Sequence, residues 1–290
     1  MSPRTRVVAI VAVVAVVMAA AVVGVTLLQT RGASTGTTAL EGVPPLYLPA
    51  STALRLYEDG KRSRAEALFA RSKALPDEIG AAFARWPHGT LDTMKSIVAA
   101  HPESALAELH LGLAYFWSGR DADAASSWLR AAKVEPDTPY AVTALDFLHP
   151  GVAPGLPLIV VDPRSVGEPA RSKLVAGIRL WSAERPISGR RTIEAALALA
   201  PDNPVVRTAA AVTLYSPAMP LAPFPKLGPL TAAFPKAAVV RFHLGELLLW
   251  TRQVKKGEAQ LRIAVATEPG SVYAQAADKI LGLLRKDGTK

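Results

Sequence analysis

Five histidines, His88, His101, His110, His149 and His243, are the side chains of this chain best suited to proton transfer or metal binding. No two have the i, i+4 spacing that places a pair of ligands on one helix face, and the chain has no cysteine. Thiolate ligands, a thiol nucleophile and disulfides are therefore excluded. His110 and His243 stand alike, since each opens a His-Leu-Gly triplet. That recurrence reads as one position of a repeated fold, facing a shared groove, in preference to metal ligation. Asp162, Glu168 and Glu184 are candidate carboxylates for acid–base chemistry, but nothing in their spacing fixes them near one another. Neither a phosphate-binding glycine loop nor a Gly-x-Ser-x-Gly elbow is present. The expectation is a protein without catalytic, cofactor-binding or metal-binding residues, and not an enzyme.

The elements that position the two histidines are periodic. Pro201, Pro235 and Pro269 lie 34 residues apart, and Pro102 and Pro136 repeat the interval. A small residue stands 24 positions before four of these prolines, at Gly112, Gly177, Ala211 and Gly245. Twelve residues on, the small position returns as Ala124, Gly189 and Gly257, with Pro223 out of pattern. Four further on stands a large apolar residue: Trp128, Ile193, Leu227 or Leu261. Small residues let two helices approach closely, the large ones fill the space between units, and proline ends each unit because it cannot continue a helix.

With these residues in phase, the chain resembles the tetratricopeptide-repeat (TPR) family, whose repeat length is 34. The best-matching unit runs over 105–138, with Leu111, Gly112, Tyr115, Gly119, Ala124, Trp128, Ala131 and Pro136 in place; the next spans 239–271. Glu184 and Arg252 replace the turn glycine seen as Gly119, and the family's frequent early Trp is missing. The resemblance implies an all-α solenoid of helix–turn–helix units, about six here and some degenerate, that works as an interaction surface.

Val7–Leu28 is an apolar run of 22 residues without a charge, long enough to cross a bilayer as a helix. Arg4, Arg6 and the amino terminus outweigh Arg31, so a transmembrane anchor with a cytoplasmic N-terminus and extracytoplasmic repeats is expected, at the cell membrane. A cleaved signal peptide with a site near Ala19–Ala21 is the other reading of the same run. The net charge of +9 is spread among acids rather than gathered in a stripe, which argues against a nucleic-acid partner. The expected organisation is 1–29 N-terminus and anchor, 30–50 flexible linker, 51–138 units one to three, 139–169 a Pro/Gly-rich insertion loop, 170–271 units four to six, and 272–290 a capping helix. Ser63 and Glu66 suggest a capping box, the prolines between 217 and 229 a long turn with a short helix, and Val272, Ala276, Ile280 and Leu283 the buried stripe of the last helix.

In the resembled family the first helix of each unit lines the concave face. Here that face would carry His110, Leu113, Phe116 and Trp117, then Arg171, Ile178 and Trp181, then Tyr215, then Phe242, His243, Glu246 and Trp250. It is apolar and aromatic, unsuited to clamping a terminal carboxylate and suited to an apolar or amphipathic protein segment. Another part of this chain, the 139–169 loop or the N-terminal helices, would fill the same face equally well. The expected role is a membrane-anchored scaffold holding a protein partner in envelope assembly, secretion or maturation. The alternative is an accessory subunit of a membrane-bound enzyme or of a cytochrome c-type biogenesis complex.

Overall fold

The computed structural model describes residues 42–287, which are helical with no β-strand among them. No described helix is long and apolar enough to cross a membrane, and the apolar run 7–28 lies outside the described residues. The described chain forms two compact units that divide between Leu148 and His149.

The first unit contains α1 (Thr52–Glu58), α2 (Arg62–Phe69), α3 (Leu75–Ala84), α4 (Thr90–Ala100), α5 (Ala105–Trp117), α6 (Asp121–Val134) and α7 (Pro139–Leu148), each packed on the next. Local chemistry sets the ends. Ser51 Oγ accepts from Leu54 N–H at 3.0 Å to start α1. Ser104 caps α5, and Glu135, just past α6, accepts the otherwise orphaned N–H of Ala105 at 2.7 Å. The second unit contains a 3₁₀ turn (Pro163–Ser165), then α8 (Ala170–Ser182), α9 (Pro186–Leu199), α10 (Pro204–Val212), the four-residue α11 (Phe224–Leu227) and α12 (Leu230–Ala233), α13 (Ala238–Trp250), α14 (Val254–Thr267) and α15 (Val272–Asp287). The proline cluster shortens the expected helix to α11 and α12, which still bury Leu227 and Leu230.

The small positions do what their size suggests. A Cβ on Gly112 would lie 2.3 Å from the Trp128 indole, so α5 and α6 touch only because that atom is missing. At the α8–α9 crossing a Cβ on Gly177 would meet Ile193 Cγ1 at 2.5 Å and its backbone nitrogen at 2.9 Å. The turn position of Gly119 (φ 77°) is held at positive φ by Glu184 (φ 53°) and Arg252 (φ 60°), which costs about 1–3 kcal/mol each. Arg252 offsets part of that through its guanidinium, which donates to Pro150 O at 2.8 Å.

Four expectations need correction. Residues 139–148 are not loop but α7, since Thr138 caps it, Pro139 suits a first helical position and Ala141, Val142 and Ala144 are buried. The linker is not free to its end: residues 43–49 are docked on the first unit, as set out below. The capping box does not form, because α2 already begins at Arg62 and its N-cap is Lys61. The buried stripe of α15 is Tyr273, Ala274, Ala277 and Leu281, displaced by one position, and Leu283 is exposed.

The crossings yield a paired prediction. Gly177→Ala should destabilise the second unit by about 1–3 kcal/mol, since backbone atoms cannot rotate away. Gly282→Ala, in α15 with open space at its Cβ, should stabilise it by roughly 0.5–1 kcal/mol. Thermal melts of the two variants check both signs.

Candidate functional site

The expected groove is filled, once in each unit, by the protein's own polypeptide. In the first unit the occupant is residues 43–49, preceding α1; burial alternates along it, with Pro44 and Leu46 buried and Pro45 and Tyr47 exposed. In the second unit it is residues 155–162, where Gly155, Pro157 and Ile159 are buried and their neighbours half-buried. A period of two is the mark of extended chain. Each segment is a strap laid across helices.

The straps are held chiefly through their backbones. Tyr57 Oη, on α1, donates to Pro44 O at 2.7 Å, and Trp181 Nε1, on α8, donates to Pro157 O at 2.7 Å. Tyr47 N–H donates to His110 Nε2 at 3.1 Å, and Val160 N–H donates to His243 Nε2 at 3.1 Å. Each imidazole is anchored in turn by its own helix: His110 Nδ1–H donates to Leu106 O and His243 Nδ1–H to Val239 O, both at 2.8 Å. These bonds require the neutral ring protonated on Nδ1. Both histidines are fully buried, and burial pushes each pKa down to about 4. Aromatic edges complete the setting, with Phe83 5.8 Å from His110 and Phe242 4.9 Å from His243.

The second strap has further holds. Leu158 N–H donates to Glu246 Oε1 at 2.8 Å, and Asp162 N–H donates to Tyr273 Oη at 3.1 Å. Glu246 is buried and burial lifts its pKa to about 8, so at neutral pH it is a carboxylic acid; its Oε2 has no hydrogen-bond partner. Ahead of the strap, Ala153 N–H donates to Trp250 O and Ala153 O accepts from Tyr215 Oη.

The residues expected to line an open concave face are thus enclosed. Trp181 and Tyr215 are buried, Trp250 is half-buried against Tyr215 at 5.7 Å, and Leu113, Phe116 and Trp117 are buried in the first unit. Ile178 is half-buried in the second core. Arg171 stands apart, paired with Glu168 at 2.8 Å near the start of α8. The candidate carboxylates have separate structural partners: Asp162 holds Arg164, Glu168 holds Arg171 and Ser172, and Glu184, its pKa raised by burial, lies beside Gly155. Among the described residues no group of three or more His, Asp and Glu could hold a metal ion.

Sequence reasoning named His110, His243, Trp181 and Glu246 but not Tyr57, Tyr273 or the first strap; the second strap lies in the 139–169 loop that it offered as one occupant of the face. A signal was present. His110 and His243 are 133 residues apart, and the same interval joins Glu135 to Glu268 and Tyr140 to Tyr273. Glu268 accepts Ala238 N–H at 3.1 Å just as Glu135 accepts Ala105 N–H.

The titrating groups set a pH window. The histidines have folded pKa values below the usual 6.5, so their contribution is complete above 6.5 and lost as pH falls toward 4. Glu246 has a folded pKa above the usual 4.5, so it costs stability progressively as pH rises from 4.5 to 8. Glu246→Gln keeps the acceptor for Leu158 and removes the titration. Its melting temperature should match that of the unaltered chain near pH 5 and exceed it at pH 8.5, by the equivalent of about 2–4 kcal/mol.

No known family model matches the chain, and no curated protein matches it.

Proposed function

We propose that this chain is a non-catalytic scaffold of tetratricopeptide type that holds a protein partner through an apolar or amphipathic segment. It works at the cell membrane, anchored by residues 7–28 with its helical part outside the cytoplasm. The observation that carries the reading is the pair of grooves, each seating an extended stretch of polypeptide by hydrogen bonds to its backbone. A surface that satisfies N–H and C=O groups in turn, with a pocket for every second side chain, has the chemistry of peptide recognition. Helix pairs that cross at small residues support the repeat assignment. The anchor and its orientation rest on the apolar run and on Arg4 and Arg6.

Two experiments on intact cells test the proposal. Photo-crosslinking probes at Tyr47 and Val161, on the straps, should trap one discrete protein; crosslinks to lipid or to the chain itself alone would contradict it. Protease added to spheroplasts should degrade the helical part, whereas full protection until lysis would reverse the topology.

A further inference from the structure

The two units carry the same device, and one difference between them matches strap to groove. An offset of 113 aligns the straps, placing Pro44 with Pro157, Leu46 with Ile159 and Tyr47 with Val160. An offset of 124 aligns Tyr57 with Trp181, and also Gly60 with Glu184, both at positive φ. An offset of 133 aligns α5–α7 with α13–α15, through His110 and His243, Gly112 and Gly245, and Tyr140 and Tyr273. The hydrogen bonds obey the same alignment: an aromatic donor takes the carbonyl of the aligned proline, Pro44 or Pro157, and a histidine takes the N–H three residues later.

The straps differ in their backbone donors at two positions. Where the second strap has Leu158, the first has Pro45, which has no N–H. The residue that accepts from Leu158 is Glu246, and its counterpart is Leu113. Where the second strap has Asp162, whose N–H meets Tyr273 Oη, the first has Pro49. At the 158 position an acceptor carboxyl thus stands where the strap offers a donor, and an apolar side chain where it does not; at the 162 position both units keep a tyrosine, Tyr273 and Tyr140. This is the matching expected of a ligand and its reader, because a buried polar group without a partner is costly.

We infer that the groove of the second unit is a backbone-reading peptide site whose resident ligand is residues 155–162. It accepts in exchange an extended segment with an aliphatic residue at the Ile159 position and free N–H groups at the 158, 160 and 162 positions. This deepens the scaffold reading and rests on it. Tethering gives the resident strap a local concentration on the order of millimolar or higher, so a free peptide competes only after the strap is weakened.

The test uses the full chain carrying Val160→Pro, which removes the N–H that His243 accepts while leaving an extended backbone accessible. A synthetic peptide of residues 155–163 should bind this variant one to one and fail to bind the unaltered chain. The same peptide with proline at the 160 position should bind about tenfold more weakly, as should a peptide of residues 43–50 with its prolines at the 158 and 162 positions. Should Val160→Pro lose its helical circular-dichroism signal, Ile159→Ala, which weakens the strap without touching its amides, provides the same comparison. No binding to a helical variant, or equal binding of the three peptides, overturns the inference. Partner capture in the crosslinking experiment without peptide binding also overturns it while leaving the scaffold reading intact.

Discussion

A backbone N–H donated to a neutral, fully buried imidazole is the contact on which both halves of this protein depend. A histidine placed inside a helical core has two nitrogens to satisfy, and leaving either bare costs about 1–3 kcal/mol. The helix supplies an acceptor for Nδ1–H one turn back, at Leu106 O and Val239 O. Nε2 then needs a donor, and a helix surface has no backbone N–H left to give. The strap supplies it. Once Tyr47 or Val160 is fixed, the alternation of extended chain carries Leu46 or Ile159 into the core and brings a proline carbonyl to Tyr57 or Trp181. Strap docking therefore completes the hydrogen bonding of the helical core in each unit.

The two units have solved the same problem with different amounts of polar chemistry. The first strap contains Pro44, Pro45 and Pro49, which reduce the number of amides to be matched, and its groove offers Leu113 where the other offers Glu246. The second strap has more amides and its groove more acceptors. One of these is a carboxyl so buried that it stays protonated near neutral pH, with one oxygen unpartnered. Such a group is an inefficient way to gain stability, and its presence fits a site that discriminates among backbones.

Much of the helical frame was legible because it is periodic. The 34-residue phase located the crossings at Gly112, Gly177 and Gly245, the turns at Gly119, Glu184 and Arg252, and the shortened helices of the proline-rich stretch. The first strap was not legible as a binding element and the second only as a loop able to cover the face, since an extended segment bonded through its backbone leaves little trace in side-chain pattern. Proline in 44–49 reads as linker and proline in 150–163 as loop, although proline also suits a strap where no N–H is needed. The helix at 139–148 was lost to the same bias. The site itself was half legible: the two His-Leu-Gly triplets marked its centre, while the longer interval of 133, which pairs Tyr140 with Tyr273, is overlaid by the shorter 34-residue repeat.

The most direct measurement is long-range ¹H–¹⁵N NMR of the histidine rings in the full chain between pH 7 and 5. His110 and His243 should appear as neutral rings protonated on Nδ1, hydrogen-bonded at Nε2, and unchanged across that range. Rings that titrate near 6.5, or that carry their proton on Nε2, would contradict the account, because neither state can accept the strap N–H.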